Sequence, residues 1–282
     1  MILASLKEAF GLIGSRPVLW VPGTVAGLLV FIDLMTGYYG GTFLTGRLWI
    51  IEVLVFPFLA GGLFFSVKSG NFSFGNFFSG GRKFYFRILL PGLVITFAAI
   101  LTVLLLMLPM ALIGLSAVTG IVAGAALGVL VPFIFFTYFF DAVAVFEETR
   151  VFESIRRSIE IAIRDIGTVF RFYIVNILIV LVVSFFMLIA WSATLIDRLT
   201  PLTTMNTTEI STITPDTFFG LLGADGVLIS AVILAIGTGI LVTILVTYKA
   251  CFFKALSGSA PGAASEPVLQ GEYDSKGRWY KY

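Results

Sequence analysis

The chain contains a long stretch without a single charged residue. Every residue from 88 to 140 is uncharged, and Arg87 and Asp141 bracket the stretch. A helix needs about 20 mostly apolar residues to cross the roughly 30 Å hydrocarbon core of a membrane, because it rises about 1.5 Å per residue. The stretch is too long for one crossing and fits two, with a tight turn near Pro109 to Gly114. It therefore predicts two membrane-spanning helices joined as a hairpin.

Further apolar segments flank this pair on both sides. The predicted spans are residues 18–35, 48–67, 88–108, 116–140, 172–196 and 227–253. Hydrophobic residues make up 59% of the chain and charged residues only 12%, whereas soluble domains are roughly half apolar and a quarter charged. The predicted fold class is an all-α integral membrane protein, with about six transmembrane helices as three hairpins and amphipathic interfacial helices on the cytoplasmic side.

Basic residues fall almost entirely on one side of this topology. One set of loops and helix ends holds Lys7, Arg16, Lys68, Arg82, Lys83, Arg87, Arg150, Arg156, Arg157, Arg164, Arg171, Lys249 and Lys254, and the other holds Arg47 and Arg198. Cytoplasmic loops retain Lys and Arg during insertion. The distribution predicts a multi-pass protein of the cell (plasma) membrane with both termini in the cytoplasm. The formal net charge of +2 is too small to indicate a nucleic-acid partner.

The chain divides into three parts by composition. Residues 1–17 carry apolar residues at helical spacing with Lys7 and Glu8 opposite, which favours an N-terminal interfacial helix, a cytosolic lead-in being the alternative. They lack the pattern of a cleaved signal peptide, so we expect them to be retained. Residues 18–258 form the six-helix membrane domain, and residues 259–282 are expected to be a flexible cytoplasmic tail.

The loops add two local predictions. Residues 68–87 mix Phe with Gly, Asn and Ser, and we expect this segment to lie on the membrane surface. In the outer loop, residues 197–225, the triplet Asn206-Thr207-Thr208 matches the acceptor pattern for N-glycosylation, which makes Asn206 a candidate modification site.

The sequence indicates no catalytic or metal chemistry. It has no histidine and one cysteine, Cys251, which excludes cysteine or histidine metal sites and a disulfide within the chain. Its acidic residues lie near predicted membrane boundaries rather than converging as an acid and base pair would. We therefore expect no enzyme activity, no catalytic residue and no cofactor.

An amphipathic helix between the fourth and fifth spans is the most informative soluble segment. Ile155, Ile159, Ile163 and Ile166 form an apolar stripe, and charged residues cover the remaining faces. One interpretation is a connector that lies flat on the membrane. The other is a docking surface for a protein partner or anionic lipid, formed by Arg156, Arg157, Arg164, Arg82 and Lys83.

Two spans carry glycines at four-residue spacing. Gly23 and Gly27 lie in the first span, and Gly120, Gly124 and Gly128 lie in the fourth. Small residues at this spacing allow close helix approach in lipid. We favour packing within one chain, although spacing alone also allows packing between chains.

The segment after the fourth span suggests a relationship. An aromatic residue followed by Asp141, an apolar run to Glu147 and Glu148, and the helix Ser154-Ile-Arg-Arg-Ser158 resemble the six-helix membrane domain associated with glycerophosphodiester phosphodiesterases and its free-standing prokaryotic relatives. The motif residues would be Asp141, Glu147, Ser154 and Ser158. In that family the hydrolytic chemistry belongs to a separate soluble domain, so the resemblance implies a membrane protein without phosphodiesterase activity.

These observations favour one function and leave a second open. The favoured interpretation is a non-enzymatic membrane scaffold or accessory subunit with cytoplasmic surface helices that dock membrane lipids or a cytoplasmic or membrane protein partner. The alternative is a transporter or permease-like subunit for a small or lipidic substrate.

Overall fold

The computed structural model describes residues 1–39, 47–112, 119–203, 206, 214–258, 271–273 and 279–281. Its helices are α1 (Ile2–Ser15), α2 (Val21–Tyr39), α3 (Leu48–Ser69), α4 (Phe74–Leu112), α5 (Thr119–Thr137), α6 (Phe140–Phe146), α7 (Val151–Arg164), α8 (Ile166–Thr194), α9 (Ile196–Thr203) and α10 (Pro215–Gly258), with a short 3₁₀ turn at Pro17–Trp20. Two short antiparallel strands, β1 (Gly271–Tyr273) and β2 (Trp279–Lys281), pair Glu272 with Tyr280.

Six segments of the described chain are long and apolar enough to cross a membrane, as the hydropathy pattern predicts. They are Pro17–Tyr39, Leu48–Ser69, Phe74–Pro109, Ala126–Phe146, Ile166–Thr194 and Thr217–Gly258. This is the architecture of a multi-pass membrane protein. Their outward surface is apolar: Phe97, Leu104, Phe185 and Phe186 are all well exposed, as expected of side chains in contact with lipid.

Several boundaries differ from the prediction. Residues 74–87 were expected in a surface loop, but they form the first turns of α4, where the glycines pack against α3. Helix α4 also continues to Leu112, through part of the predicted turn, and residues 113–118 of that turn lie outside the described residues. The predicted flexible tail lies largely outside the described residues too, and the part described forms the β1–β2 pair.

Glycines allow two pairs of helices to approach closely. A Cβ atom at Gly23 would overlap Thr243 Oγ1 and the Gly239 carbonyl of α10, and one at Gly27 would overlap the Ala235 carbonyl. Helices α3 and α4 meet in the same way: a Cβ at Gly62 would lie 2.7 Å from the Phe77 carbonyl oxygen. The first span thus packs most extensively on the sixth and the second on the third, because small residues allow backbones to approach.

The glycines of the fourth span behave differently. A Cβ at Gly124 or Gly128 would have no described atom within 4 Å. The Gly23 and Gly27 face therefore packs within the chain, whereas the described part of the Gly124 and Gly128 face is open.

The buried core lies at one end of the helix bundle. Its centre is a group of stacked or tilted aromatic rings, with the Phe172 and Phe252 centroids 4.3 Å apart and those of Phe172 and Tyr248 4.9 Å apart. Lys68, Lys83, Arg87 and Lys249 lie at this same end, which we call the basic end. At the opposite end the described residues form a small buried cluster of Leu195, Leu222 and Val227.

Candidate functional site

The turn between α6 and α7 lies at the centre of the polar contacts of the basic end. Glu148 in this turn has a backbone φ of 54°, a left-handed conformation that costs a residue with a Cβ about 1–2 kcal/mol. Three cations surround this residue. Lys68 Nζ lies 3.0 Å from Glu148 Oε1, Lys83 Nζ lies 3.2 Å from Oε2, and Arg87 Nη1 donates a 3.0 Å hydrogen bond to the Glu148 carbonyl oxygen. These contacts join α3 and α4 to the turn.

The same contacts change the acidity of Glu148. Hydrogen bonds from Lys68 and then Lys83 stabilise the carboxylate and hold the pKa of Glu148 below its usual range. Lys68 Nζ also donates a 2.9 Å hydrogen bond to the Val145 carbonyl oxygen at the end of α6. The cluster is a solvent-accessible ion network, with the Glu148 side chain 44% exposed.

A second network runs along α7. Arg157 Nε lies 3.1 Å from Glu147 Oε2, and Arg157 Nη1 lies 3.3 Å from Glu160 Oε2. Arg156 Nε contacts Glu160 Oε1 at 2.7 Å, and hydrogen bonds from Arg156 and then Arg157 lower the pKa of Glu160. Arg164 Nε lies 2.9 Å from Asp165 Oδ2. All three predicted docking arginines of α7 are therefore paired with acidic residues.

The face of α7 that touches the rest of the protein carries small residues. Ser154, Ser158 and Ala162 are fully buried, whereas Ile163 is 60% exposed. Ser158 Oγ donates a 2.9 Å hydrogen bond to the Phe136 carbonyl oxygen and accepts a 3.1 Å hydrogen bond from the Phe139 N–H. Ser158 thereby joins α7 to the junction of α5 and α6. Among the described residues, Ser154 Oγ donates its hydrogen bond within its own helix, to the Val151 carbonyl oxygen at 2.8 Å.

A buried ion pair lies next to this junction. Lys249 Nζ of α10 lies 2.7 Å from Asp141 Oδ1 and 2.8 Å from Oδ2. The side chains are 8% and 16% exposed, respectively. The Lys249 ammonium also lies 3.9 Å from the centre of the Tyr138 ring, close enough for a cation–π interaction.

Nearly the whole chain matches one family model. The domain of unknown function DUF7847 matches residues 1–256. The chain belongs to this family. No curated protein and no solved structure matched. The DUF7847 description names no activity, so the resemblance to the membrane domain of glycerophosphodiester phosphodiesterases stays a prediction.

The structure of this DUF7847 chain brings some predicted residues together and separates others. Asp141 and Ser158 lie at the α5–α6 junction, Glu147 lies in the α6–α7 turn, and Lys83 on α4 contacts Glu148 in that turn. Arg82 is exposed on α4 and makes no ion pair with the described residues. Asn206 is exposed and outside any helix or strand, at a distance along the chain from these contacts. The described residues contain no group of three or more acidic or cysteine side chains that could hold a metal ion.

The sequence analysis did not predict three of the cations at this site. The sequence analysis used Lys68, Arg87 and Lys249 only as evidence for the orientation of the chain in the membrane. In the structure, each of them contacts the segment from Asp141 to Glu148. Lys249 offered one signal. It is a single lysine within a long apolar segment, and such residues are usually paired or functional.

Proposed function

We propose that this chain is a non-enzymatic membrane scaffold or accessory protein that docks lipid or a protein partner on its cytoplasmic face. One observation carries the proposal: an open groove of about 850 Å³ on α3 and α4, lined by Phe58, Phe78, Ser79, Arg82 and Lys83. The groove combines two cations, a hydroxyl group and two phenyl rings. This chemistry suits the phosphate and upper acyl chain of an anionic lipid.

The balance of charge favours the groove, rather than α7, as the site that binds an anionic lipid. The cations at the basic end of α3 and α4 are Lys68, Arg82, Lys83 and Arg87, and the Glu148 carboxylate pairs with two of them, Lys68 and Lys83. On α7, by contrast, each predicted docking arginine contacts an acidic residue. A guanidinium without a carboxylate partner among the described residues, such as that of Arg82, is well suited to bind phosphate with two hydrogen bonds.

Two surface helices, α1 and α7, support docking on the same face of the protein. Helix α7 buries small residues and exposes Phe152 and Ile163, and α1 buries Ser5 and Ala9 while Leu3 is 74% exposed. Large apolar side chains beside exposed charges are typical of helices in a membrane interface. We propose that both helices lie in the cytoplasmic head-group layer, as the excess of basic residues there predicts.

The test measures enrichment of an anionic lipid around the full chain. The protein is reconstituted in nanodiscs of phosphatidylcholine with a minor fraction of phosphatidylglycerol, and lipid retained after re-extraction is quantified. Arg82→Glu should lower phosphatidylglycerol enrichment several-fold, and the double variant Arg156→Glu, Arg157→Glu should lower it less, because these arginines are already paired. Arg198→Glu, at the opposite end, is the matched control. Unchanged enrichment in both basic-end variants would refute the proposal.

A transporter or permease-like subunit is the second candidate. The observation in its favour is a cavity of about 340 Å³ between α3, α4, α6 and α10, inside the spans. Stoichiometric co-purification of an ATPase would favour this candidate, and purification without a partner but with retained lipid would count against it.

A further inference from the structure

The cavity between α3, α4, α6 and α10 has apolar walls and one polar end. Val53, Pro57, Leu89, Leu93 and Leu245 line its walls, and Tyr138, Asp141 and Lys249 also line it. Its volume of about 340 Å³ is at the lower end of the range for small-molecule sites. Since the walls belong to candidate membrane spans, a lipid or another amphiphile is the molecule with direct access to it.

The polar end retains capacity for one more hydrogen bond. A lysine ammonium has three N–H donors. Within the described part of the chain, the hydrogen-bond acceptor of Lys249 is the Asp141 carboxylate. Asp141 Oδ1 also accepts a 2.7 Å hydrogen bond from the Ala142 N–H, which fixes the carboxylate at the start of α6. The Tyr138 ring, whose centre is 3.9 Å from Lys249 Nζ, is not a hydrogen-bond acceptor of oxygen type, so an acceptor oxygen from an occupant can use the remaining donor of Lys249 beside this contact.

The charge of the pair selects among occupants. Asp141 and Lys249 together carry no net charge when both are ionised, and they lie 2.7 Å apart. An anionic head group on Lys249 would be repelled by the adjacent carboxylate, and a cationic one on Asp141 by the ammonium. Hydroxyl and ester oxygens accept a hydrogen bond without adding a charge.

We propose that this cavity binds an uncharged amphiphile, such as a monoacylglycerol, with its chain against the apolar walls and its head-group oxygens on Lys249. This site lies apart from the Arg82 groove and goes beyond the docking function, which does not require it. The position of the ion pair supports this proposal, because the pair lies at the basic end of the fourth and sixth spans, where lipid head groups would begin.

Gly92 provides a way to fill the cavity without breaking the fold. Gly92 lines it, and an added Cβ would meet the Phe140 ring at 3.6 Å and 3.9 Å, which is ordinary van der Waals contact. A leucine at this position would extend into the empty space. Gly124→Leu is a matched control, because Gly124 is also in a membrane helix and a Cβ there has no described atom within 4 Å.

The experiment uses the full chain in phosphatidylcholine nanodiscs with a monoacylglycerol that carries a photoreactive diazirine in its chain. Saturable labelling should map to peptides that contain Val53, Leu89 to Leu93 or Leu245, and unlabelled monoacylglycerol should compete. Gly92→Leu should lower this labelling about tenfold or more, and Gly124→Leu should leave it unchanged. Val53→Phe narrows the same cavity from α3 and tests the proposal independently if Gly92→Leu folds poorly.

A second arm tests the head-group assignment. The double variant Asp141→Asn, Lys249→Met keeps the pair without net charge but removes the ammonium donors, and should weaken competition by monoacylglycerol about tenfold. Competition by a fatty acid or phosphatidylglycerol should be weaker than by monoacylglycerol. Non-saturable labelling, or equal labelling of Gly92→Leu and Gly124→Leu, would show ordinary contact with bulk lipid and overturn the proposal. Stronger competition by an anionic lipid would overturn the assignment of an uncharged occupant.

Discussion

The two ends of the helix bundle hold their ion pairs in different environments. At the basic end, the side chains of Lys249 and Asp141 are 8% and 16% exposed. At the opposite end, those of Arg198 and Asp225 are 38% and 83% exposed, with the charged atoms 3.3 Å apart. A buried pair costs desolvation free energy and needs both partners, whereas an exposed pair contributes little. Among the ion pairs of the described residues, the buried one therefore lies at the basic end.

Packing differs between the ends in the same way. Rings from the fifth and sixth spans, Phe172, Tyr248, Phe252 and Phe253, are fully buried at the basic end. Toward the opposite end, long apolar side chains such as Leu104 and Phe186 remain exposed. Apolar side chains gain little by leaving lipid for a protein interior. We infer that the stability and the specific contacts of the fold are concentrated at the basic end.

Neutralising the buried carboxylate should give the largest effect. Asp141→Asn leaves the Lys249 ammonium buried without a counter-charge, and we expect a loss of about 3–5 kcal/mol in the free energy of unfolding. The matched change Asp225→Asn should cost only about 0–1 kcal/mol. Denaturation with SDS in mixed micelles, followed by circular dichroism, measures both. Equal losses would remove the distinction between the two ends.

The double variant sharpens this comparison. Asp141→Asn combined with Lys249→Met removes both charges, so it should recover much of the stability that Asp141→Asn loses. Additive losses would instead mean that the two side chains stabilise the fold through separate contacts.

The second prediction compares a closed glycine face with an open one. Gly23→Leu places a side chain against Thr243 and the Gly239 backbone of α10, and overpacking of this kind costs about 1–3 kcal/mol or more. Gly124→Leu adds the same side chain where no described atom lies within 4 Å and should change stability little. The same denaturation assay measures both. A large loss for Gly124→Leu would indicate that a second copy packs on that face.

The sequence predicted the spans well because hydropathy is local. A run of apolar residues identifies a membrane helix wherever the helix finally packs. The contacts at the basic end are not local: Lys249 and Asp141 are 108 positions apart, and Lys68 and Glu148 are 80 apart. No periodicity within either segment specifies its partner, so the pairing of helices α2 with α10 and α3 with α4 could not be predicted either.

Helix α7 contacts the rest of the protein through a face that its apolar stripe does not reveal. The isoleucine stripe is present: Ile155 and Ile159 are half-buried, whereas Ile163, and Ile166 at the start of α8, are exposed, as apolar side chains can be in a lipid environment. The face that packs is Ser154, Ser158 and Ala162, at four-residue spacing. This is the small-residue pattern of membrane helix contacts. The sequence analysis searched only for glycines at four-residue spacing. A search that included serine and alanine would have found this packing face of α7.

The third prediction separates the two serines of that face. Ser158→Ala removes the contacts with the Phe136 carbonyl and the Phe139 N–H, which leaves two backbone groups at the α5–α6 junction without this partner. We expect a loss of about 1–2 kcal/mol. Ser154→Ala removes a hydrogen bond within α7 only and should cost about 0.5 kcal/mol or less. Thermal unfolding of both variants in one detergent tests the difference, and similar shifts would argue against the bridging role of Ser158.

The smallest predicted effect concerns the exposed network at Glu148. Asn tolerates the left-handed backbone at this position, so Glu148→Asn keeps the turn and removes the carboxylate that Lys68 and Lys83 contact. We expect a loss of about 1 kcal/mol near neutral pH, because both pairs are partly exposed. The folded pKa of Glu148 is lowered, so its contribution is complete above the ordinary glutamate pKa and is lost as the pH falls through the lowered value. The stability of the variant should accordingly depend less steeply on acid pH than that of the natural chain. Parallel pH profiles of the variant and the natural chain would mean that backbone contacts hold the turn, chiefly the hydrogen bond from Arg87 to the Glu148 carbonyl oxygen. The lysines that contact Glu148 would then be free to bind phosphate.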